Sequence, residues 1–326
     1  MSLITVGRRW QPGGLPAGGP GHEAAVLLVA NGSAGRTVRE AVAAVAEVLA
    51  EAGPVELVEC DHESDLDRAL RRWRAGPLVL AGGDGSLHTT LRQLWHRGEA
   101  GAGPIGLVPL GTGNDFARGV GIPLDPVAAA KTVLTGAPRR VDLVTDDAGG
   151  VVVNAMHVGV GADAAVRARP LKRSLKSGAF PLGALLAGLR VQGWRLRIEV
   201  DGKAVVSGRR RVLMAGLANA PSIAGGTADL WPGASPTDGL ADVVISTAVE
   251  PLARAGYALG LLRGNHAERD DVLHLTGRTL SISGDRFQIN ADGEVSDPVR
   301  YRMWTVQPGA WHCILPAPSG PDPANG

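Results

Sequence analysis

The sequence has little of what defines several protein classes. Its only two cysteines, Cys60 and Cys313, stand far apart, which excludes a disulfide scaffold and favours a reducing compartment. The formal net charge of +1 indicates no preference for nucleic acid or for an acidic partner. The uncharged apolar stretch Gly178–Leu189 is too short to span a bilayer. What remains, at 326 residues and 44% hydrophobic content, is an ordinary globular chain with room for two domains.

Two familiar signals are also missing. The Gly-Lys-Ser/Thr of a Walker motif does not occur, which excludes a P-loop protein. The start of the chain is rich in glycine and proline and lacks an apolar core, so we predict a flexible arm over residues 1–21 and no signal peptide. Residues 317–326 are predicted to form a disordered tail. These features favour a cytoplasmic protein.

Two patterns of hydrophobic residues divide the chain. Short apolar runs such as Ala24–Ala30 and Pro77–Ala81 alternate with segments of helical spacing, which predicts an α/β domain with a doubly wound parallel sheet over residues 22–142. A last strand within 307–316 is expected to complete it. From about Val141 strand signals dominate, with a hairpin signal at Asp146–Gly150. Residues 143–306 are therefore predicted to form a β-rich, sandwich-like second domain.

The first glycine-rich segment is Gly82-Gly83-Asp84-Gly85-Ser86, between an apolar strand and a helix. Glycine permits positive φ and a close approach of backbone N–H groups to a phosphate, and a helix N-terminus favours negative charge. The segment therefore favours a phosphate site. Asp84 at the start of a helix is also explained as a simple cap.

The second segment, Pro109–Arg118, follows the next strand. Gly111 and Gly113 flank Thr112, whose hydroxyl is suited to a phosphate, and Asn114-Asp115 begin a predicted helix. An Asx turn before an amphipathic helix is the alternative. Because the carboxyl ends of parallel strands meet at one edge of the sheet, both segments are expected there, at the usual ligand position.

Two further segments near the C-terminus contain Asp-Gly. Asp292-Gly293-Glu294 and Asp238-Gly239 are each explained by a β-turn, which Asp-Gly favours. For Asp238 the turn is the better interpretation from the residues alone. A turn and a functional site are compatible for Asp292 and Glu294.

Taken in order, these motifs resemble those of the diacylglycerol kinase catalytic domain family, which includes bacterial lipid kinases and the sphingosine and ceramide kinases. The resemblance runs through Asn31–Gly35, Gly82–Ser86 and Pro109–Pro123. It continues with Asn154, Gly159–Ala162, Asn219, Gly225-Gly226, Pro232–Asp242 and Asp292–Glu294. It covers nearly the whole chain, about Ala24 to Pro316.

The resemblance implies an ATP- and Mg²⁺-dependent lipid kinase with ATP between the domains. The nucleotide would contact Asn31, Gly32, Ser33, Ala34, Gly35, Gly82, Gly83, Asp84, Gly85, Ser86, Leu87, His88, Gly111, Thr112 and Asn114. Asp84 and Asp115 would hold the catalytic Mg²⁺. Asp292 and Glu294 would supply the general base and, with Asp84, form the catalytic set. Ser235, Asp238 and Leu240 would bind a second, structural Mg²⁺.

The implied partners are a diacylglycerol-like lipid and a membrane surface. Between Asp163 and Glu199 lie eight Lys/Arg residues and no acid, and apolar residues at helical spacing follow the first five. Basic residues beside an apolar stripe suit a segment that lies at a membrane interface. A core helix with a solvated basic lead-in explains the segment equally well from sequence alone. Transient membrane association is expected, nucleic-acid binding is not, and a homodimer stays open.

Some positions depart from the family pattern. Gly32 replaces a usual proline, Thr89 replaces a common glutamate, and no threonine ends the second strand around Glu59-Cys60-Asp61. A kinase of a soluble substrate such as NAD, which shares the first motif, is the alternative enzyme. A catalytically silent lipid-binding protein is the alternative outside enzymes. The intact Asp84, Asp115, Asp292 and Glu294 argue against the silent protein.

Overall fold

A computed structural model describes residues 3–4, 26–32, 35–73, 76–159 and 193–317. The chain divides into two compact units, Met1–Arg140 with Trp311–Gly326, and Val141–Ala310. Two strands, β6 (Ala137–Asp146) and β19 (Val299–Leu315), contain the boundaries between the units.

The first unit alternates strands and helices. In chain order they are β1 (Leu3–Ile4), β2 (Val26–Asn31), α1 (Arg36–Ala50), β3 (Val55–Cys60), α2 (Glu63–Arg72), β4 (Leu78–Gly82), α3 (Asp84–His96), β5 (Pro104–Pro109), α4 (Asp115–Gly119) and α5 (Pro126–Thr135).

The sheet of the first unit is mostly parallel. Its order is β1-β3-β2-β4-β5 followed by the end of β19, and among these described pairs β1–β3 is antiparallel and the others are parallel. Every residue of β4 and β5 is buried, as expected for strands covered on both faces. Ligand-binding loops of such a sheet follow the carboxyl ends of its strands.

The second unit is rich in strands. It contains β7 (Val151–Val152), β8 (Ala155–Gly159), β9 (Trp194–Val200), β10 (Lys203–Val212), β11 (Met214–Ala218), β12 (Ser222–Ile223), β13 (Ala228–Asp229), β14 (Ala241–Ser246), α6 (Pro251–Arg263), β15 (Val272–Gly277), β16 (Thr279–Phe287), β17 (Ile289–Ala291) and β18 (Glu294–Val295). A short 3₁₀ helix spans His266–Glu268.

Two antiparallel sheets of this unit share one core. One has the order β19-β16-β9-β10, and the other β15-β14-β11-β8-β17-β18. Alternate residues of β9, such as Leu196 and Ile198, pack with Val243 and Ile245 of β14 and with Trp304. A second cluster joins Tyr257 of α6 to residues of β11 and β14. This is the arrangement of a β-sandwich.

The predicted fold class is confirmed: an α/β unit with a parallel sheet and a β-rich, sandwich-like unit. The expected hairpin is present, since Val144 pairs with Val152 and the Asp146 N–H donates to the Gly150 carbonyl. Other predictions fall outside the described residues. These are most of the N-terminal arm, most of the C-terminal tail, Ser33, Ala34 and residues 160–192 of the basic segment. Within the arm, Leu3–Ile4 are described and pair with β3 as strand β1, which differs from the flexible segment predicted there.

Candidate functional site

Three loops of the first unit follow neighbouring parallel strands. Asn31 ends β2, Gly82 ends β4 and Pro109 ends β5. The Leu110 N–H donates to the Gly82 carbonyl at 2.9 Å, so the loops after β4 and β5 begin side by side. The topology therefore brings the two glycine-rich segments together at the edge of the sheet where ligands bind.

The two loops approach so closely that Gly83 and Gly111 leave no room for a side chain at either position. A Cβ on Gly83 would lie 2.9 Å from the Gly111 Cα, and a Cβ on Gly111 would lie 2.6 Å from the Gly83 Cα. The φ angles of Gly82, Gly83, Gly85, Gly111 and Gly113 all lie outside the positive region. The positive φ that the sequence pattern suggested is therefore not used. Instead, the two backbones touch where a side chain on either loop would separate them.

Asp84 connects the two loops. Its Oδ1 accepts a hydrogen bond from the Phe116 N–H at 3.1 Å, so the first residue of α3 holds the start of α4. Burial raises the pKa of the Asp84 carboxyl above its ordinary value, and the Asp115 carboxylate acts in the same direction. Backbone N–H groups, led by that of Phe116, oppose the shift in this pKa. A carboxylate has two oxygens, so this bond is compatible with metal coordination.

Asn114 has a structural role in the second loop. It adopts the left-handed conformation with φ of 55°, and its side chain is buried. Its Oδ1 accepts from the Gly111 N–H at 3.0 Å, and its Nδ2 donates to the Gly111 carbonyl at 2.8 Å. The described contacts of its side-chain amide therefore hold the loop closed, and they direct the amide toward Gly111 rather than toward a nucleotide.

The remaining predicted nucleotide residues differ in exposure. Thr112, Gly85 and Ser86 are exposed, whereas the side chains of Leu87 and His88 lie in the interior. Leu87 packs in the core of the unit, so only its backbone is available to a ligand. Asn31 and Gly35 are exposed at the first loop.

A cavity of about 260 Å³ opens at the same edge of the first unit. Its walls come from the ends of β2, β3 and β4 and from the first turns of α2 and α3. Among the residues that line it are Asn31, Cys60, Asp61, Glu63 and Ser86. It is small for a complete nucleotide and suited to part of one.

In the second unit, Asp292 and Gly293 form a two-residue turn between β17 and β18. Their φ angles are 48° and 88°, and Ala291 pairs with Glu294 across the turn. The Asp292 carboxylate accepts three backbone N–H bonds, from Val153 at 2.7 Å, Asn154 at 2.9 Å and Ala155 at 3.1 Å. Three donors use most of the lone pairs of a carboxylate, so Asp292 is an anchor for residues 153–155. The Glu294 side chain on the next strand is exposed.

Sequence reasoning missed Asp142, which supports the loop of the predicted second metal site. Asp142 is buried, and its carboxylate accepts from the Gly239 N–H at 2.7 Å and the Gly309 N–H at 2.6 Å. It therefore fixes the loop that contains Asp238. The signal that could have found it is an aspartate inside the apolar run Val141–Val144, since a buried charge requires hydrogen-bond partners.

The second predicted metal site is built around an Asx turn. Asp238 is exposed, and its Oδ1 accepts from the Leu240 N–H at 2.9 Å, while the Ser235 and Thr237 hydroxyls lie 3.1 Å apart. Within the described ranges no group of three acidic, His or Cys side chains is arranged for a metal ion. A site of one carboxylate and backbone carbonyls does not require such a group.

Asp242, just after that turn, belongs to a separate cluster. It lies 2.7 Å from the His274 Nε2, and the His274 ring stacks on Trp231 with centroids 3.5 Å apart. Burial raises the pKa of the Asp242 carboxyl. The contact between Asp242 and His274 joins the side chains of the paired strands β14 and β15, next to the turn.

The paired loops at the carboxyl end of the parallel sheet suit the binding of an anion such as a phosphate. A sequence model of the diacylglycerol kinase catalytic domain matches residues 25–145, and a model described as the YegS C-terminal NAD kinase beta sandwich-like domain matches residues 154–315. In the part of the chain that the structure covers, no helix is long and apolar enough to cross a membrane.

Known proteins resemble the chain over most of its length. A protein of Pseudomonas aeruginosa described as a probable lipid kinase, YegS-like, is 33% identical over 300 residues, covering 90% of this chain and 95% of that protein. A diacylglycerol kinase of Mycobacterium tuberculosis is 28% identical over 245 residues, covering 73% and 76%. A crystal structure of a diacylglycerol kinase from Bacillus anthracis superposes with a TM-score of 0.71 at 19% identity, covering 92% and 98%. The chain belongs to the lipid kinase family that contains the diacylglycerol kinase catalytic domain.

Proposed function

We propose that this protein transfers the γ-phosphate of ATP to a lipid hydroxyl, with Mg²⁺ as cofactor and diacylglycerol or a similar lipid as acceptor. The observation that carries the proposal is the junction of the two glycine-rich loops at Asp84 and Phe116. It stands at the ligand-binding edge of a parallel sheet in a chain of the lipid kinase family.

The phosphates are assigned to the first unit. The N-terminus of α3, a helix of 13 residues, begins beside the contact between Gly83 and Gly111. Its unpaired N–H groups and its dipole favour an anion. The exposed Thr112 hydroxyl adds a neutral donor at the same edge.

Asp84 and Asp115 are the proposed ligands of the catalytic Mg²⁺. Burial raises the pKa of Asp84, and the Asp115 carboxylate adds to that shift. Hard oxygen donors of this kind suit Mg²⁺. When bound, the ion would neutralise charge on the phosphates during transfer. The carbonyls of Ser235 and Leu240 with the Asp238 carboxylate are proposed as a structural Mg²⁺ site.

Glu294 is the proposed general base for the lipid hydroxyl. Its exposed carboxylate is accessible to a substrate, whereas the Asp292 carboxylate is directed at three backbone donors. Asp292 is therefore proposed to act by positioning, because it ties the turn that carries Glu294 to residues 153–155.

A lipid acceptor requires the protein to reach its substrate at a membrane surface. We propose that the protein is cytoplasmic and associates with membranes transiently through the basic segment after Asp163. The charges of that segment are in the sequence, and each Lys or Arg near an anionic surface contributes about 1 kcal/mol.

The test is a phosphate-transfer assay with γ-labelled ATP and Mg²⁺. Diacylglycerol, sphingosine, ceramide and a long-chain isoprenoid alcohol are presented in mixed micelles, and NAD is supplied in a parallel reaction. Label on a lipid is expected. Label on NAD alone would assign the protein to the soluble-substrate kinases. Lipid binding without label in any reaction would assign it to the silent lipid-binding proteins.

A further inference from the structure

The cavity in the first unit has an acidic rim that the phosphate assignment does not use. Its lining includes Asn31 from β2, Cys60 and Asp61 from the end of β3, Glu63 from α2 and Ser86 from α3. Ser86 stands in the first turn of the helix that we assign to the phosphates. The cavity is therefore continuous with the proposed phosphate site and extends toward the end of β3.

Asp61 occupies a defined place on this rim. Its backbone N–H and that of His62 both donate to the Asp65 carboxylate, at 3.1 and 3.0 Å, so the turn between β3 and α2 is fixed. The Gly32 N–H donates to the Cys60 carbonyl at 3.1 Å, which extends the pairing of β2 with β3 up to this turn.

Gly32 makes room for the Asp61 carboxylate. A Cβ at position 32 would lie 2.8 Å from the Asp61 Oδ1 and 3.3 Å from its Oδ2. Gly32 does not have a positive φ, so its backbone conformation is open to other residues. The glycine is thus explained by the neighbouring side chain, and Gly32 and Asp61 form a matched pair.

The neighbours of Asp61 on the cavity wall are consistent with a carboxylate that accepts hydrogen bonds from hydroxyl groups of a ligand. Glu63 forms an ion pair with Arg92 at 2.8 Å. Burial, with Asp65 and Asp61 nearby, raises the pKa of the Cys60 thiol to about 11, so the thiol is neutral at pH 7. No metal-binding group of three acidic, His or Cys side chains occurs in the ranges described. An ionised carboxylate is an acceptor only and binds paired O–H donors well.

We propose that Asp61 accepts hydrogen bonds from the ribose hydroxyls of the bound nucleotide, and that Gly32 provides the space for this carboxylate. An acid at the end of the second strand takes this role in other α/β nucleotide-binding folds. The inference rests on the proposed use of ATP. It predicts that the enzyme selects ribonucleotides over their deoxyribose analogues.

The experiment is calorimetric titration of the full chain with ADP, 2′-deoxyADP and 3′-deoxyADP in the presence of Mg²⁺. Loss of a hydrogen bond to a charged group weakens binding by about 10- to 100-fold, so the wild type is expected to prefer ADP by that factor. Asp61→Ala is expected to bind all three with similar affinity. Glu63→Ala, which removes a carboxylate from the same cavity wall, is the matched control and is expected to keep the preference.

Gly32→Ala tests the matched pair. The clash is with the end of a side chain, so the melting temperature is expected to stay close to that of the wild type while the preference for ADP falls. Adding Asp61→Ala to Gly32→Ala is expected to change the preference no further.

The outcomes separate the two proposals. If the wild type binds none of the three nucleotides, the proposed use of ATP fails and this inference fails with it. If the wild type binds ADP and 2′-deoxyADP equally, or if Asp61→Ala keeps the preference, the role of Asp61 is overturned while the use of ATP stands. A weaker response to Mg²⁺ in Asp61→Ala, with the preference unchanged, would also contradict it.

Discussion

The glycine-rich loops of the first unit and the Asp-Gly turn of the second place similar residues in different physical roles. Asp84 is half-buried, accepts from Phe116, and has a raised pKa. Asp292 accepts three backbone N–H bonds and stands on a turn with positive φ. An aspartate beside glycine is therefore not one kind of feature, because burial and the number of backbone donors decide what it does.

The glycines differ in the same way. Gly83 and Gly111 are needed because the backbones touch, whereas Gly293 has φ of 88° and a Cβ on it would meet nothing within 4 Å. Gly83 and Gly111 are therefore required because there is no space for a side chain, whereas Gly293 is required because of its backbone conformation.

The largest expected effect comes from Glu294→Gln. If Glu294 is the base, kcat falls by about 100- to 10,000-fold, since general base catalysis contributes that much. ADP affinity and melting temperature are expected to match those of the wild type. Kinetics with saturating lipid and nucleotide measure the loss, and a kcat within about threefold of the wild type would show that the base lies elsewhere.

Asp84→Asn is expected to lower kcat by about 100-fold or more, because it weakens charge stabilisation at the phosphates. An asparagine Oδ1 still accepts from Phe116, so the loop junction remains. Transfer kinetics at saturating ATP and lipid measure the loss, and a kcat equal to that of the wild type would contradict the metal assignment.

Asp84→Asn is also expected to change how stability depends on pH. Because the pKa of Asp84 is raised by burial, the folded state binds its proton more tightly than the unfolded state. The free energy of unfolding that Asp84 contributes therefore decreases as the pH rises. The decrease begins near pH 4, about the ordinary pKa of an aspartate, and is complete above the raised pKa of Asp84. Asp84→Asn is expected to lose less stability over that window and to be no less stable than the wild type at pH 7. Urea unfolding at pH 4 and pH 7 measures this, and a larger loss in the variant would contradict it.

Asp292→Asn is expected to act on stability first. An amide offers one acceptor oxygen to three N–H donors, and a buried donor without a partner costs about 1–3 kcal/mol. We expect a lower urea midpoint together with residual transfer, a combination that Glu294→Gln does not give. Normal stability with complete loss of kcat would make Asp292 the base instead.

The sequence was sufficient for the fold class and for part of the site. Strand and helix periodicity, with the rule that ligand loops follow parallel strands, predicted that Gly82–Ser86 and Pro109–Arg118 would meet. The contact between Asp292 and residues 153–155 was not predictable, because it joins segments more than 130 residues apart that share no local pattern. The pairing of Gly32 with Asp61 was equally hidden, since a glycine in place of proline indicates only a looser loop.

The smallest expected effects come from the glycines. Gly111→Ala forces two backbones apart and is expected to destabilise by about 1–3 kcal/mol, as overpacking does. Gly293→Ala places an alanine in the left-handed region, at about 1–2 kcal/mol. Asparagine tolerates that region, so Gly293→Asn should recover stability and Gly111→Asn should not. Gly85→Ala, with nothing within 4 Å, is the control, and equal melting temperatures for all of these variants would contradict the distinction.

The most direct test of the central claim is transfer of label from γ-labelled ATP to diacylglycerol in mixed micelles by the wild type, with NAD supplied in parallel. The proposal predicts label on the lipid that requires Mg²⁺ and is lost in Glu294→Gln. Label on NAD, or no label on any lipid hydroxyl while ADP still binds, would contradict it.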